Sequence, residues 1–244
     1  MTTEKERMSP GGFIPKWVRL EHQARFEFAA QYVKDKIVVD CACGTGVGSK
    51  IFAQAGAKQV LAYDLSADDV FAAQEKNRLS NLVYAMADAT ELPCVSGSAD
   101  VYISLETIEH LTEDIKFLAE VKRVLKSGGV FISSTPNRTV TNPLAKLSDK
   151  PWNKFHVREY TRGELEDLLK KYFSSVGFFG QNSKSAWKIK LVNAIAKIFS
   201  TRAAVRFNQI LKLPHLLFDS VQHHQVKPIP SDKECEYLVA VCKF

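Results

Sequence analysis

The sequence predicts an α/β fold in which helices cover both faces of a doubly wound, mostly parallel sheet. Two observations support this prediction. Short apolar, β-branched runs alternate with longer amphipathic segments, which is typical of repeated strand–helix–strand units. The chain has 244 residues, of which 45% are apolar, so it is large enough to bury one sizeable core.

The predicted elements follow one another in a regular order. A first helix is expected over 17–33, where apolar residues recur with a helical period. Thr161 and Glu164 form a capping-box pattern at the start of a late helix. The remaining predicted elements are strands at 36–42, 58–64, 82–88, 100–106, 129–135, 173–181 and 234–242, and helices at 47–56, 66–79, 112–125 and 161–172.

We therefore expect one domain over residues 1–244. Within it we distinguish an N-terminal helical segment (1–35), a core (36–180), a basic helical insertion (181–233) and a final strand (234–244). The first part of the insertion is amphipathic, because its apolar and its polar side chains fall on different sides of a helical wheel.

The net charge of +6 is unevenly distributed along the chain. Residues 168–218 contain nine Lys or Arg and no Asp or Glu, so the rest of the chain is slightly acidic. One interpretation is contact with an anionic partner, such as a membrane face, through the basic segment 184–213. The alternative is a solvated lysine-rich face, and the sequence does not decide between them.

The chain shows no apolar run long enough to span a bilayer and no signal-peptide pattern at its start. We expect a cytoplasmic protein that is peripheral at a membrane if the basic segment binds one. The five cysteines are odd in number and have no CxxC spacing. They predict small core residues rather than disulfides or a zinc site.

A glycine turn follows the first predicted strand in the sequence VVDCACGTG, residues 38–46. Gly44 and Gly46 would let a ligand approach the backbone at the start of the next helix. Asp64 ends the second strand, 24 residues after Asp40, where a carboxylate can accept hydrogen bonds from ribose hydroxyls. Asp88 ends the third strand, where it can accept from an adenine amine.

Three strand-end acids favour a ligand that carries ribose, adenine and a cationic group over a dinucleotide. A diphosphate beside Asp40 would be repelled, and Ser49 stands where the dinucleotide pattern G-x-G-x-x-G requires its last glycine. The phosphate-binding pattern G-x-x-x-x-G-K-[ST] is absent from the sequence.

These motifs resemble those of class I S-adenosylmethionine-dependent methyltransferases over roughly residues 20–180 and the last strand. VVDCACGTG resembles the first motif with Ala42 in place of its first glycine, YDLS the ribose motif and MADATELP the adenine motif. The resemblance implies S-adenosylmethionine as the cofactor and a seven-stranded sheet whose final strand is antiparallel. The cofactor-binding residues that we expect are Asp40, Ala42, Gly44, Gly46, Asp64, Leu65, Asp88, Ala89 and Glu106.

The acceptor is predicted to be a hydroxyl, because the (N/D)-P-P-(Y/F) turn that relatives use on amines is missing after the fourth strand. We expect His156 to be the general base, with His110 as the second choice, since an imidazole titrates near neutral pH. Glu109 is expected beside them. The alternative is that these residues only cap a helix and anchor a loop. His22 and Arg25 are further candidates to lie over the cofactor or the acceptor.

Resemblance to particular branches refines these expectations. The order and spacing of motifs from ERMSP to NKFHVREYT resemble those of bacterial methyltransferases associated with glycan and polysaccharide assembly. This resemblance implies a small-molecule or glycan acceptor. The patterns ExxEH and HxxEYTR also resemble branches in which two Glu and two His bind a divalent ion. By that resemblance Glu106, Glu109, His110 and His156 would bind Mg²⁺, Mn²⁺ or Zn²⁺, but we assign no metal ligand.

Two other functions remain open at this stage. One is an RNA 2′-O-methyltransferase, although aromatic residues are not interleaved with the basic ones, which argues against nucleic acid as a partner. The other is a catalytically silent, cofactor-binding module at a membrane surface. The sequence does not predict the oligomeric state.

Overall fold

The computed structural model describes residues 16–143, 145–186 and 224–244. Most of the predicted basic insertion (181–233), and of the basic segment (184–213), lies outside these residues. No helix of the described part is long and apolar enough to cross a membrane.

The described residues form six helices, one 3-10 turn (Ile108–His110) and eight strands. The helices are α1 (Lys16–Ala30), α2 (Val47–Gln54), α3 (Ala67–Lys76), α4 (Asp114–Val124), α5 (Arg138–Thr141) and α6 (Arg162–Leu169). The strands are β1 (Ile37–Cys41), β2 (Gln59–Asp64), β3 (Leu82–Met86), β4 (Ala99–Leu105), β5 (Leu125–Pro136), β6 (Ser175–Ser185), β7 (Lys227–Pro228) and β8 (Lys233–Lys243).

All eight strands join one sheet in the order β3-β2-β1-β4-β5-β8-β6-β7. The first five in this order are parallel, and β8 lies antiparallel between β5 and β6. The predicted α/β class, the doubly wound parallel sheet and the antiparallel last strand are therefore confirmed. The strand order reverses between β1 and β4, and ligands of such sheets bind at the carboxyl edge near this reversal.

The end of β6 differs from the sequence prediction. The strand continues to Ser185 and so occupies the first five residues of the segment predicted as the insertion. Its partner β8 explains the extension, because Ser183, Lys184 and Ser185 pair with Cys235, Glu234 and Lys233. The two-residue strand β7, which was not predicted, pairs with β6 at Phe179 and Gly180, so the sheet has eight strands and not the predicted seven.

Two hydrophobic clusters cover the two faces of the sheet. Neighbouring side chains of a strand point to opposite faces, and Val38 and Val39 of β1 accordingly belong to different clusters. One cluster packs α1, α2 and α3 against the sheet through residues such as Phe28, Phe52 and Val70. The other packs α4 and α6 against the opposite face.

Helix α1 spans the sheet from one edge to the other. Its last residue is followed by a bridge from Lys34 to Ala57, just before β1 and β2 begin, so α1 ends at the amino edge. A 15-residue helix is about 22 Å long. The first turns of α1 therefore lie toward the carboxyl edge, where Arg25 faces Glu106 after β4.

Candidate active site

The two predicted glycines of the turn serve different purposes. Gly46 has φ +75°, and a Cβ atom there would lie 2.3 Å from the Tyr84 hydroxyl oxygen. That hydroxyl donates a hydrogen bond to the Gly46 carbonyl at 3.1 Å. Gly44 has φ +51°, and a Cβ there would meet no atom within 4 Å. The space beside Gly44 is therefore open to a ligand, whereas Gly46 is required by protein packing.

Ala42, which replaces the first glycine of the turn, also has a left-handed backbone, with φ +62°. An L-residue with a Cβ atom pays about 1–2 kcal/mol for this conformation, and glycine does not. The residue is exposed, so the cost comes from the backbone and not from crowding with a neighbour.

We expect Ala42→Gly to increase the free energy of unfolding by about 1 kcal/mol, because it relieves this backbone strain. Ala67→Gly, at an exposed position in the first turn of α3, should decrease it by about 0.5–1 kcal/mol. Denaturant unfolding of both variants tests the prediction. Equal destabilisation of the two would contradict it.

Asp40 is buried at the end of β1 and accepts a hydrogen bond from the Ser49 hydroxyl at 2.5 Å. Burial raises the pKa of Asp40 to about 7; the Ser49 hydrogen bond opposes this rise, and the Asp64 charge adds to it. A cation bound nearby would favour the ionised carboxylate. A positively charged group bound at the turn would therefore shift Asp40 from its neutral form to its ionised form.

Asp64 joins the ends of β1 and β2. Its Oδ2 accepts a hydrogen bond from the Gly44 N–H at 2.8 Å, and its Oδ1 accepts one from the Ser66 N–H at 2.9 Å. The carboxylate is therefore held directly beside the glycine turn. The next side chain, Leu65, is 63% exposed and offers an apolar surface at the same edge.

Asp88 lies on the surface beyond β3. Its Oδ1 accepts hydrogen bonds from the backbone and the hydroxyl of Thr90, both at 2.8 Å. These bonds lower the pKa of Asp88, so it is ionised at neutral pH. Asp88 and the half-buried Ala89 stand two strands from the glycine turn.

Glu106, the residue after β4, has a left-handed backbone with φ +52°. Its N–H donates to the Ser134 carbonyl, and the Ser134 hydroxyl donates to Glu106 Oε1 at 2.6 Å. The fully buried Arg25 places Nε 3.9 Å from the same oxygen, and its guanidinium carbon lies 4.4 Å from the centre of the Tyr237 ring. Contacts from β5 and α1 thus fix this carboxylate, and Tyr237 of β8 packs against Arg25.

His22, one turn before Phe26 on α1, is half-buried. Burial lowers its pKa to about 4, and the Arg25 charge acts in the same direction. The imidazole of His22 is therefore neutral at physiological pH.

Glu109, in the 3-10 turn after β4, is fully buried. Its Oε2 accepts a hydrogen bond from the Thr135 hydroxyl at 3.1 Å, and its Oε1 has no hydrogen-bond partner among the described residues. Burial raises the pKa of Glu109 well above its ordinary value, and the Glu106 charge adds to the rise. The neutral, protonated carboxyl is thereby favoured.

His110 is exposed next to Glu109. Its Nδ1 lies 3.0 Å from the carbonyl oxygen of Phe155. Because a carbonyl only accepts, Nδ1 carries the proton and Nε2 is the basic nitrogen of the neutral ring. The ring centre lies 4.9 Å from that of His156.

His156 is held on both sides of its ring. Its Nδ1 donates to Glu159 Oε1 at 2.7 Å, and the Asn153 amide donates to its Nε2 at 3.0 Å. The Thr141 hydroxyl in turn donates to Glu159 Oε2 at 2.6 Å. Only 8% of the His156 side chain is exposed. His156 is well oriented, but both ring nitrogens already contact protein groups.

Three of the four residues implied as a metal set converge in the structure. One oxygen of Glu109 and one nitrogen of each of His110 and His156 lie within 4.8 Å of one another, whereas Glu106 is not part of this group. These donors suit a divalent cation. Its binding by His156 would require the loss of the hydrogen bond to Asn153 or to Glu159.

Several residues that support the site were assigned no such role from the sequence. Glu159 and Asn153 stand three residues after and three before His156, a spacing that signals a side-chain contact only if the loop is known to turn. In the sequence Ser49 indicates only a departure from the dinucleotide pattern, whereas in the structure its hydroxyl donates to Asp40. The buried contact of Arg25 with Gln181 joins residues 156 positions apart, and no local pattern predicts it.

Comparison with known proteins supports the interpretation of this edge. A family model described as a methyltransferase domain matches residues 39–133, which include Asp40, Asp64 and Glu109. A probable S-adenosylmethionine-dependent methyltransferase of Mycolicibacterium smegmatis is 33% identical over 67% of this chain and 62% of its own length. The chain thus spans less than two thirds of that relative.

Two further matches come from other methyltransferases. A ubiquinone/menaquinone biosynthesis C-methyltransferase of Caulobacter vibrioides is 32% identical over 47% of this chain and 49% of its own length. A crystal structure of a methyltransferase from Thermotoga maritima has a TM-score of 0.62 at 16% identity and covers 93% of this chain and 92% of its own. The structural match shows a shared fold.

Proposed function

We propose that this chain, a member of the class I S-adenosylmethionine-dependent methyltransferase family, transfers a methyl group from S-adenosylmethionine to a hydroxyl of a small-molecule or glycan acceptor. The main observation in support of methyl transfer is the position of Asp64. Its carboxylate accepts a hydrogen bond from the Gly44 N–H, beside the open space of the glycine turn. The preference for a hydroxyl is supported by the two histidines at the same edge.

The residues at the carboxyl edge fit the chemical groups of the cofactor. We assign Asp64 to the ribose hydroxyls, Leu65, Asp88 and Ala89 to the adenine, and the turn at Ala42, Gly44 and Gly46 to the methionine end. Asp40 and Glu106 supply negative charge for the ammonium group. When bound, S-adenosylmethionine supplies an activated methyl group on its sulfonium, so the protein mainly has to position the acceptor and remove a proton.

We propose that His110 removes this proton through Nε2. The Phe155 carbonyl fixes the tautomer that leaves Nε2 basic, and the ring is exposed to an incoming acceptor. An imidazole of this kind suits a hydroxyl whose pKa must be lowered as the methyl arrives. This choice reverses the order predicted from the sequence, because His110 is exposed whereas only 8% of the His156 side chain is.

His156 then acts as a positioning residue. Its ring packs edge-on against His110, and Glu159 holds its own orientation. Glu109 precedes His110 in the chain and also holds the residues that follow His156. Its backbone carbonyl accepts hydrogen bonds from the N–H groups of Val157 and Arg158 at 2.8 and 3.2 Å. These contacts tie the loop after β5 to the 3-10 turn.

Methylation of a ring carbon is the second candidate, favoured by the 32% identity to the C-methyltransferase of Caulobacter vibrioides. A base that deprotonates a phenol serves this reaction too. The test uses methyl-labelled S-adenosylmethionine with sugar, sugar-nucleotide and phenol acceptors and determines which atom carries the label. An O-methyl product supports the proposal, and a C-methyl product supports the alternative.

Treatment with a chelator tests the metal question. If the proposed base mechanism holds, we expect turnover to change by less than twofold after chelation and after addition of Mg²⁺ or Mn²⁺, because His110 alone accepts the proton. Loss of turnover that is restored by either ion would instead assign Glu109, His110 and His156 as ligands. The same assay with RNA as acceptor distinguishes the RNA alternative, and cofactor binding without turnover would indicate a silent module.

A further inference from the structure

Both tryptophans in the described residues are half exposed, which is unusual because tryptophan is highly buried on average. Trp17 is 46% exposed in the first turn of α1, and Trp152 is 50% exposed in the loop after β5. Glu21 and Arg25 of α1 contact residues near the ends of β6 and β4, so Trp17, about one turn before Glu21, is placed toward the carboxyl edge. Trp152 follows β5 and α5, which leave the sheet at the same edge. An exposed indole at a site entrance indicates an interaction surface.

Each tryptophan is accompanied by exposed aliphatic and basic side chains. On α1, Trp17 and Leu20 are one turn apart, and Lys16 and Arg19 flank them. In the loop, the exposed apolar and basic residues are Lys146, Leu147, Lys150, Trp152, Lys154 and Val157, and Ser148 and Asp149 are exposed as well. Asp149 is the single acidic residue between Lys146 and Val157.

We infer that this edge docks on an anionic lipid membrane through the two tryptophan segments, Lys16–Leu20 and 145–157. Tryptophan prefers the membrane–water interface, where its ring sits at the headgroup level, and lysines near it attract acidic lipids. The aliphatic side chains Leu20, Leu147 and Val157 can insert between lipid chains. Nucleic acid bases would stack on the two tryptophans but not on these aliphatic side chains, so the combination of indole, aliphatic and basic groups favours a lipid over an RNA partner.

The loop also contacts the proposed base. The Phe155 carbonyl binds His110, and the Val157 N–H binds the Glu109 carbonyl. A membrane that holds this loop would place His110 at the lipid surface. The inference therefore rests on the proposed function and narrows it, because it implies an acceptor that is presented by the membrane, such as a lipid-linked molecule.

The test measures binding of the full chain to vesicles of phosphatidylcholine with and without about 30% phosphatidylglycerol, because acidic lipids supply the surface potential. We expect binding only to the acidic vesicles. Replacing Lys146, Lys150 and Lys154 by Gln should weaken it at least tenfold, since each lysine near the surface contributes about fivefold. A matched triple at the amino edge, Lys34, Lys36 and Lys58 to Gln, should change it less than threefold.

The tryptophans are tested separately with Trp17→Gln and Trp152→Gln, with Phe71→Gln as an exposed control on α3. Each tryptophan variant should weaken vesicle binding several-fold, and the control should not. Equal losses in both lysine triples, no vesicle binding, or binding of single-stranded RNA in preference to vesicles would overturn the inference. S-adenosylmethionine binding by the same proteins keeps the outcomes distinct, because its absence in the unmodified chain would contradict the proposed function instead.

Discussion

Replacing Asp64 by alanine is expected to weaken binding of S-adenosylmethionine at least a hundredfold. The carboxylate is proposed to accept two hydrogen bonds from the ribose, and bonds to a charged group contribute about 1.5–3 kcal/mol each. The substitution also removes the acceptor of the Gly44 N–H at 2.8 Å, so the turn loses a contact that shapes the pocket. Calorimetric titration measures the change directly.

The matched control is Asp68→Asn, which removes the same charge from an exposed position in the first turn of α3. It should leave the affinity within twofold, because it touches neither the turn nor the end of β2. If Asp64→Ala binds the cofactor as tightly as the control, the assignment of Asp64 to the ribose is wrong.

His110→Asn is expected to lower turnover by about 10²–10⁴-fold, the usual contribution of a general base. Asparagine can keep a donor toward the Phe155 carbonyl, which Nδ1 of His110 now contacts at 3.0 Å, but it lacks the basic Nε2. Affinity for S-adenosylmethionine should stay within threefold, because His110 lies on the acceptor side of the edge. The two measurements together separate a role in chemistry from a role in folding.

His156→Asn is the companion variant. It can keep a donor toward Glu159 and should lower turnover less than His110→Asn does, since His156 is proposed to orient its neighbour. If His156→Asn lowers the turnover number several hundredfold while His110→Asn leaves it nearly unchanged, His156 is the base, as the sequence pattern alone predicts.

The parallel core was predictable because its causes are local. Alternating apolar periods predict strands and helices, and strand-end acids such as Asp64 follow directly from the strand ends. The capping box at Thr161 and Glu164 was also predictable and is confirmed, since the Thr161 side chain accepts from the Glu164 N–H and the Glu164 side chain from the Thr161 N–H. Each of these features depends on residues close together in the chain.

Features that depend on distant partners were not predictable. The extension of β6 to Ser185 depends on pairing with β8, about 50 residues later in the sequence. The proposed choice of His110 over His156 rests in part on the contact between His110 Nδ1 and the Phe155 carbonyl, 45 residues later in the sequence, which no local pattern indicates. The burial of Arg25 against Gln181 and Tyr237 likewise arises only when α1 packs on the sheet.

Titration of the unmodified chain with S-adenosylmethionine by calorimetry, at neutral pH and low salt, most directly tests whether the carboxyl edge is an adenosyl-sulfonium pocket. We predict saturable binding with one cofactor per chain. The absence of any heat of binding, together with an unchanged melting temperature at saturating cofactor, would contradict this proposal.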